Sequence, residues 1–384
     1  MQNYISCDNG CYPVEGMNGL RHLPLSLCLI LTTTLVARAD DVDDWVRSQM
    51  QLRHIPAVSI AVIKDGLLLK TEGYGTADME HSIPARVDTV FKIGSTSKQF
   101  IAAGVMLLVQ DGKIAVDDKL SQYIKGTPLA WQAITLRHLL THTSGLAREA
   151  PGFDPYKIQP DIDVIQSAFP LPLNAKPGEK YDYSNLGYYV LAEVIHEVSR
   201  IPWTDFLKQR LFDPLGMNAT RPTTTSELIP NRADGYLWNA DKFQNAENWV
   251  SLRPSGAFLS TASDMAKWEA ALQTGRILTA ASKKEMWSPV KLNNGDEYPY
   301  GFGWEVDYFP NGIGTTDVPM IRHEGTIPGF RSAFWRLPSQ NIAVVVLSNL
   351  DRAGLDNMCA GILVRYMPEL MPAYLKRWPA TEQK

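Results

Sequence analysis

Two serines in this chain stand three residues ahead of a lysine, in Ser95-Thr96-Ser97-Lys98 and in Ser288-Pro289-Val290-Lys291. A serine hydroxyl turns nucleophilic when a neighbouring base takes its proton, and on a helix positions i and i+3 share one face. The spacing alone is weak, because a chain of this size holds about one such pattern by chance. Context separates the two. Ser95 follows Gly94 and opens the apolar run Phe100 to Val109, whereas Ser288 leads into Pro, Asn and Gly without helical period. At Ser95 a helix start would also offer unpaired N–H groups and a positive dipole end to an oxyanion. The competing reading is a plain helix cap with a solvated lysine, but an ammonium on so apolar a helix needs a partner.

Two further motifs supply groups of the right kind. Tyr183-Ser184-Asn185 is the only Y-x-N in the chain and stands just before the apolar helical stretch Leu186 to Val198. A tyrosine is a poor base unless cations stabilise its phenolate, and Lys98 would be such a cation. An aromatic-rich loop with Asn185 as a helix cap fits the same residues. His323-Glu324-Gly325-Thr326 is the only H-x-G and runs into strand. Glycine in a strand admits close approach of another backbone or a ligand, so the Thr326 N–H is placed to meet a carbonyl oxygen; the plain alternative is a satisfied core histidine.

Other chemistries find less support. His138 and His142 have the i, i+4 spacing of a zinc pair, but no glutamate follows His138 and no third ligand is apparent, so no metal is expected. No G-x-S-x-G occurs, which argues against an α/β-hydrolase elbow. With 37 Lys and Arg against 41 Asp and Glu, a net charge of −4 and no basic run, nucleic acid is not an expected partner.

Elements must hold these groups in place. Residues 57–63 and 67–74 flank Lys64-Asp65-Gly66 and read as an antiparallel hairpin. Helical pattern fills Ser95 to about residue 215, as in 99–110, 135–140, 186–198 and 203–211. A further helix is expected over 263–272 with Ser263 as its cap, then strands over 301–306, 330–337 and 342–347 and a closing helix over 355–366. Strands at both ends around a helical middle imply an α/β (α+β) fold: an antiparallel sheet flanked by terminal helices, with an inserted all-helical lobe over about 95–230. A cleft is expected between the two lobes, floored by Leu136 to Leu146. Composition agrees: 384 residues, 45% hydrophobic and 20% charged, with 27 Gly and 25 Pro, describe a globular chain with ample core.

The first 39 residues read differently. Arg21 and His22 precede the apolar run Leu23 to Val36, then Ala37-Arg38-Ala39 and an acidic start at Asp40. This is the pattern of a secretory signal peptide, with translation from Met17 an option, and the run is short for a membrane span of about 20 residues. A periplasmic or secreted catalytic domain over 40–384 without a stable membrane anchor is the expectation. Removal of the leader would leave Cys359 as the one cysteine, in an apolar stretch that reads as a buried core thiol.

The order S-x-x-K, Y-x-N, H-x-G resembles the signature of the penicillin-recognising serine hydrolases, in particular the branch of class C β-lactamases, D-alanyl-D-alanine carboxypeptidases and family VIII carboxylesterases. Leu139 to Leu146 (LLTHTSGL), Asp213 to Met217 (DPLGM), Tyr300 to Trp304 (YGFGW) and Ser348-Asn349 are similar to that branch too, and the likeness spans about residues 45–370. The resemblance implies a β-lactamase/transpeptidase-like fold without a cofactor. Ser95 would be the nucleophile that forms an acyl-enzyme, with Lys98 and Tyr183 shuttling its proton and later activating water. Asn185 would bind the substrate amide and Lys98, and the N–H groups of Ser95 and Thr326 would form the oxyanion hole beside Gly325. His323 takes the place where class C enzymes carry lysine, which implies a weaker grip on a substrate carboxylate and easier acceptance of a neutral ester. Arg352 is a candidate for the missing cation, and Arg148 and Glu149 are candidates to reach substrate. The substrate implied is a small ester, amide or β-lactam. The alternative is a penicillin-binding or peptidoglycan-sensing module that acylates and stalls.

Overall fold

The computed structural model describes residues 41–223, 226–251, 253–309 and 318–379. The leader expected over residues 1–39 lies outside them. Among the described residues no helix is long and apolar enough to cross a membrane.

The expected hairpin forms from β1 (Ala57–Lys64) and β2 (Leu67–Asp78), and Asp65 and Gly66 both take positive φ, 51° and 76°, as a tight two-residue turn requires. Five more strands complete an antiparallel sheet: β3 (Ile83–Pro84), β4 (Glu305–Phe309), β5 (Val318–Ile327), β6 (Phe330–Leu337) and β7 (Ile342–Ser348). Their order is β4-β5-β6-β7-β1-β2-β3, so the last strand of the chain zips against the first, with Val62 opposite Val344 and Ser59 opposite Leu347.

Both faces of this sheet are covered, which is why β1 reads as an unbroken apolar run. Val58, Ile60, Val62, Val344 and Val346 pack with helix α1 (residues 41–52) and the C-terminal helix Asp356–Tyr366. The alternate residues Ala57, Ala61, Ile63, Val345 and Leu347 face the helical middle of the chain, as the two-residue period of a strand dictates. That middle contains α2 (Lys98–Gln110), α3 (Leu136–Leu140), α4 (Asn185–Ser199) and α5 (Trp203–Leu207). Each aliphatic side chain so enclosed contributes about 1.5–3 kcal/mol. Cys359 is buried among the C-terminal helix contacts as a free thiol.

Three local expectations need correction. Residues 301–304 form a turn instead of the start of a strand, closed by the Gly301 N–H on the Trp304 carbonyl at 2.8 Å, and pairing begins at Glu305. The helix expected from Ser263 begins one residue earlier, as α6 (Ala262–Thr274), and Thr261 caps it by accepting the Asp264 N–H. The fifth helix stops at Leu207 and continues as a wider π-type turn, Lys208–Phe212.

A buried ion pair ties α6 to the sheet: Arg336 Nε lies 2.5 Å from Glu269 Oε2, and the two side chains are 3% and 1% exposed. Glu269→Gln keeps the shape but leaves an uncompensated buried guanidinium. It should lower unfolding stability by about 3–5 kcal/mol, read as a shifted urea midpoint at constant m-value.

Candidate active site

Ser95 stands on a short 3-10 turn, Gly94–Ser97, that runs directly into α2. The turn is pressed backbone to backbone on β5. Gly94 has φ 52°, and a Cβ there would come within 2.5 Å of the Thr326 nitrogen; a Cβ on Gly325 would come within 1.9 Å of the Ile93 carbonyl oxygen. Only glycine at both places lets the segments cross, and the crossing sets the Thr326 amide beside Gly94, the residue before Ser95. Ile327 and Phe330 close the β5–β6 hairpin, so Thr326 falls at the next, non-hydrogen-bonded position. Its N–H therefore turns away from β6, on the side that β4 leaves open beyond Arg322.

Lys98 lies one turn on and is fully buried. Its Nζ has three neighbours: Ser95 Oγ at 3.2 Å, Asn185 Oδ1 at 2.8 Å and the Ser255 carbonyl oxygen at 2.7 Å. The orientation of the Asn185 amide follows from its nitrogen, which donates to Glu149 Oε1 at 2.5 Å. Burial, with Arg253 and Arg148 nearby, pulls the Lys98 pKa well below the usual lysine range against the opposing pull of Glu149. A neutral amine has two N–H bonds and one lone pair. Asn185 Oδ1 and Ser255 O can only accept, so they take the two hydrogens and leave the lone pair for the Ser95 hydroxyl.

Tyr183 completes the group. Burial raises its pKa above the tyrosine range, while the neighbouring Ser95 side chain pulls it the other way. Lys98 Nζ lies 4.8 Å from the centre of the Tyr183 ring. The sequence suggested an ammonium stabilising a phenolate; in the folded site burial disfavours both of those charges.

Ser95, Tyr183, Asn185 and Thr326 line a cleft of about 490 Å³ between the helical middle and the β4–β5 side of the sheet, with Lys98 buried behind them. Arg148 and Glu149 also line it, Glu149 being ion-paired to Arg253. Arg253 continues inward, its Nε donating to Ser255 Oγ at 2.8 Å and its guanidinium stacking on Phe153 at 4.7 Å. On the opposite wall His323 is 2% exposed. Burial and then the nearby Lys98 push its pKa down to about 3. Its Nδ1–H donates to the Glu324 carbonyl at 2.7 Å, and its Nε2 accepts from Tyr300 Oη at 3.0 Å. It is therefore a neutral ring with both nitrogens occupied. The carboxyl groups beside it, Glu305 and Glu324, lie 3.1 and 3.2 Å from Arg322, and burial raises both pKa values, that of Glu324 to about 8.

Arg352 does not join the cleft: it lines a separate hollow with Arg331 and Asp356. The second S-x-x-K does not assemble either, since Ser288 Oγ donates to the Lys284 carbonyl at 2.7 Å and Lys291 is exposed. The stretch 136–146 lies behind Tyr183 and does not line the cleft. His138 and His142 go separate ways, His138 Nδ1 accepting the Thr135 N–H at α3 while His142 faces Tyr300. Among the described residues no group of three His, Cys, Asp or Glu is placed to hold a metal ion. Sequence reasoning missed Arg253, Ser255 and Tyr300 as site residues. Tyr300 sits in a recognisable motif, but nothing in Ser251-Leu252-Arg253-Pro254-Ser255 marks its residues.

Comparison with known proteins bears on the family and the fold. Residues 42–360 match the family model described as Beta-lactamase. The chain is 30% identical over 314 residues to penicillin-binding protein 4* of Bacillus subtilis, covering 76% of this chain and 68% of that protein. It is 27% identical over 323 residues to protein flp of Staphylococcus aureus, covering 81% of this chain and 63% of that one. It thus spans about two thirds of the length of these relatives. Among solved structures, D-amino acid amidase from Ochrobactrum anthropi SV3 superposes with a TM-score of 0.73 at 25% identity, over 86% of this chain and 99% of the amidase. A penicillin-binding protein homologue from Pyrococcus abyssi superposes with a TM-score of 0.74 at 24% identity, over 86% and 77% of the two chains, and shares the fold. A family match over most of the chain, joined to a sheet and helices of the β-lactamase/transpeptidase type, places this protein in the Beta-lactamase family.

Proposed function

We propose that the protein is a serine hydrolase that cleaves ester or amide bonds through an acyl-enzyme on Ser95. The observation that carries this reading is the buried Lys98 amino group, 3.2 Å from Ser95 Oγ and held by two acceptors that leave its lone pair to the Ser95 hydroxyl when it is neutral. Lys98 takes the Ser95 proton as Oγ bonds to the carbonyl carbon. The carbonyl electron pair moves onto oxygen, where the N–H groups of Ser95 and Thr326 receive it, a contribution of about 2.7–4 kcal/mol per donor in comparable sites. The Tyr183 phenol passes its proton to the departing alkoxide or amine as that bond breaks, and the Lys98 ammonium restores the phenol. Deacylation repeats the transfers with water in place of serine.

The substrate class follows from the β5 wall. His323 is neutral with both ring nitrogens taken, and the neighbouring cleft residues Glu305 and Glu324 are carboxylic. That wall favours an uncharged ester or amide over a substrate whose carboxylate would lie there. We expect kcat/KM for a p-nitrophenyl ester to exceed that for a chromogenic cephalosporin by about 100-fold, because the neutral His323 ring offers no cation to a substrate carboxylate. His323→Lys should raise cephalosporin turnover and leave ester turnover within about threefold; equal effects on both would refute this account of substrate choice. Names of the relatives support a second reading, a penicillin-binding module that acylates and stalls. The lifetime of a penicillin adduct decides between them. In either case we assign residues 1–39 as an export leader and the working compartment as periplasmic or extracellular; amino-terminal sequencing of the exported protein tests this.

A further inference from the structure

His142 does not line the cleft, yet its contacts converge on the segment that carries Tyr183. Its carbonyl oxygen accepts the Asp182 N–H at 2.7 Å, and its Nδ1 accepts the Ser184 N–H at 3.1 Å. Between them its ring lies 4.1 Å from the Tyr183 ring, tilted by 30°. The three residues 182, 183 and 184 are thus gripped in turn by one side chain and its own backbone. His142 adopts φ 57° to do so, a left-handed conformation that residues with a Cβ rarely take.

The ring can grip in only one tautomer. The Ser184 N–H must meet a lone pair, so Nδ1 carries no proton and Nε2 carries one. That Nε2–H points to Tyr300 Oη at 3.2 Å, and the Tyr300 O–H passes the direction on to His323 Nε2 at 3.0 Å. The chain ends where His323 Nδ1–H meets the Glu324 carbonyl. A backbone donor at one end and a backbone acceptor at the other thus leave a single arrangement of protons for two neutral imidazoles. His142 is completely buried, and burial holds its pKa well below the histidine range, which keeps it in that state.

We propose that His142 is a positioning residue, which holds the Tyr183 hydroxyl on the Ser95 oxygen by clamping residues 182–184. The inference rests on the reading of Ser95, Lys98 and Tyr183 given above. Proton transfer needs the phenol within hydrogen-bond reach of the reacting oxygen, and a displacement of about 1 Å costs about 100-fold in rate. Because His142 lies outside the cleft, its loss should fall on kcat.

The test compares His142→Asn with His142→Gln. Asparagine tolerates the left-handed backbone, and its Oδ1 replaces Nδ1 as acceptor for Ser184. Glutamine carries its amide further out, toward Tyr300, and leaves the Ser184 N–H without an acceptor. With a p-nitrophenyl ester we expect the glutamine variant to lose about 100-fold in kcat with KM within about twofold, and the asparagine variant to recover at least about tenfold of that loss. Equal kcat values for the two variants, or a loss that appears in KM alone, would overturn the positioning role. Tyr300→Phe gives a check that changes no backbone: without the hydroxyl that takes Nε2–H, kcat should fall about tenfold at constant KM, and an unchanged kcat would again overturn it. Ser95→Ala, run alongside, separates the two layers. An inactive Ser95→Ala with equal asparagine and glutamine variants removes the role of His142 alone; turnover in Ser95→Ala removes the underlying reading as well.

Discussion

Ser95→Ala should fold as the parent does and turn over a p-nitrophenyl ester at least about 10⁴-fold more slowly. Ser95 is half-buried at the mouth of the cleft, so losing one hydroxyl removes little packing. The chemical loss is large because nucleophile and base act as a unit: without the Oγ, the Lys98 lone pair and the Tyr183 phenol have no atom to act upon. What remains is binding and the two oxyanion donors. Activity within about tenfold of the parent would mean that another group attacks the carbonyl.

Lys98→Met is the second large effect, about 10³–10⁴-fold in kcat. Methionine fills the buried space but has no basic nitrogen. Lys98→Arg distinguishes a base from a fixed charge: arginine remains protonated, so if the site needs a lone pair the arginine variant should be as inactive as the methionine one. The pH dependence follows with a definite sign. A proton on Lys98 occupies the lone pair, and burial has moved its pKa far down. Activity is therefore present above that lowered pKa and lost as pH falls through it. The logarithm of kcat/KM should climb with unit slope on the acid side in the parent, and the small residual rate of Lys98→Met should be flat over the same range. A Lys98→Arg variant with near-parental activity would contradict the assignment of Lys98 as base.

How much of this could be read before any coordinates depends on the range of the interaction concerned. The relation of Ser95 to Lys98 is local, one turn of helix, and needed only the apolar run behind it. The β1–β2 hairpin was equally local, written in Asp65-Gly66 between two apolar runs. The errors at helix and strand ends are also local but degenerate: Thr261 and Ser263 both carry a capping hydroxyl, and the alternation in Tyr300 to Trp304 suits a strand as well as a turn. Protonation was out of reach, because the lowered pKa values of Lys98 and His323 come from burial by segments distant in sequence, Ser255 and Tyr300 among them. For the same reason Arg352 was a poor guess: its number places it after β7, but only the folded chain decides which side of the sheet edge it occupies. The relay behind Tyr183, from His142 through Tyr300 to His323, joins three distant segments, and no spacing marks it.

The central claim is that a covalent bond forms at Ser95. Intact-protein mass spectrometry during reaction with a slow ester or with benzylpenicillin, followed by peptide mapping, tests it most directly. The account predicts a mass increase equal to the acyl group, carried on the peptide that contains Ser95 and absent from Ser95→Ala. Steady product release with an adduct on some other residue, or with none trapped at Ser95 under acid quench, would contradict it.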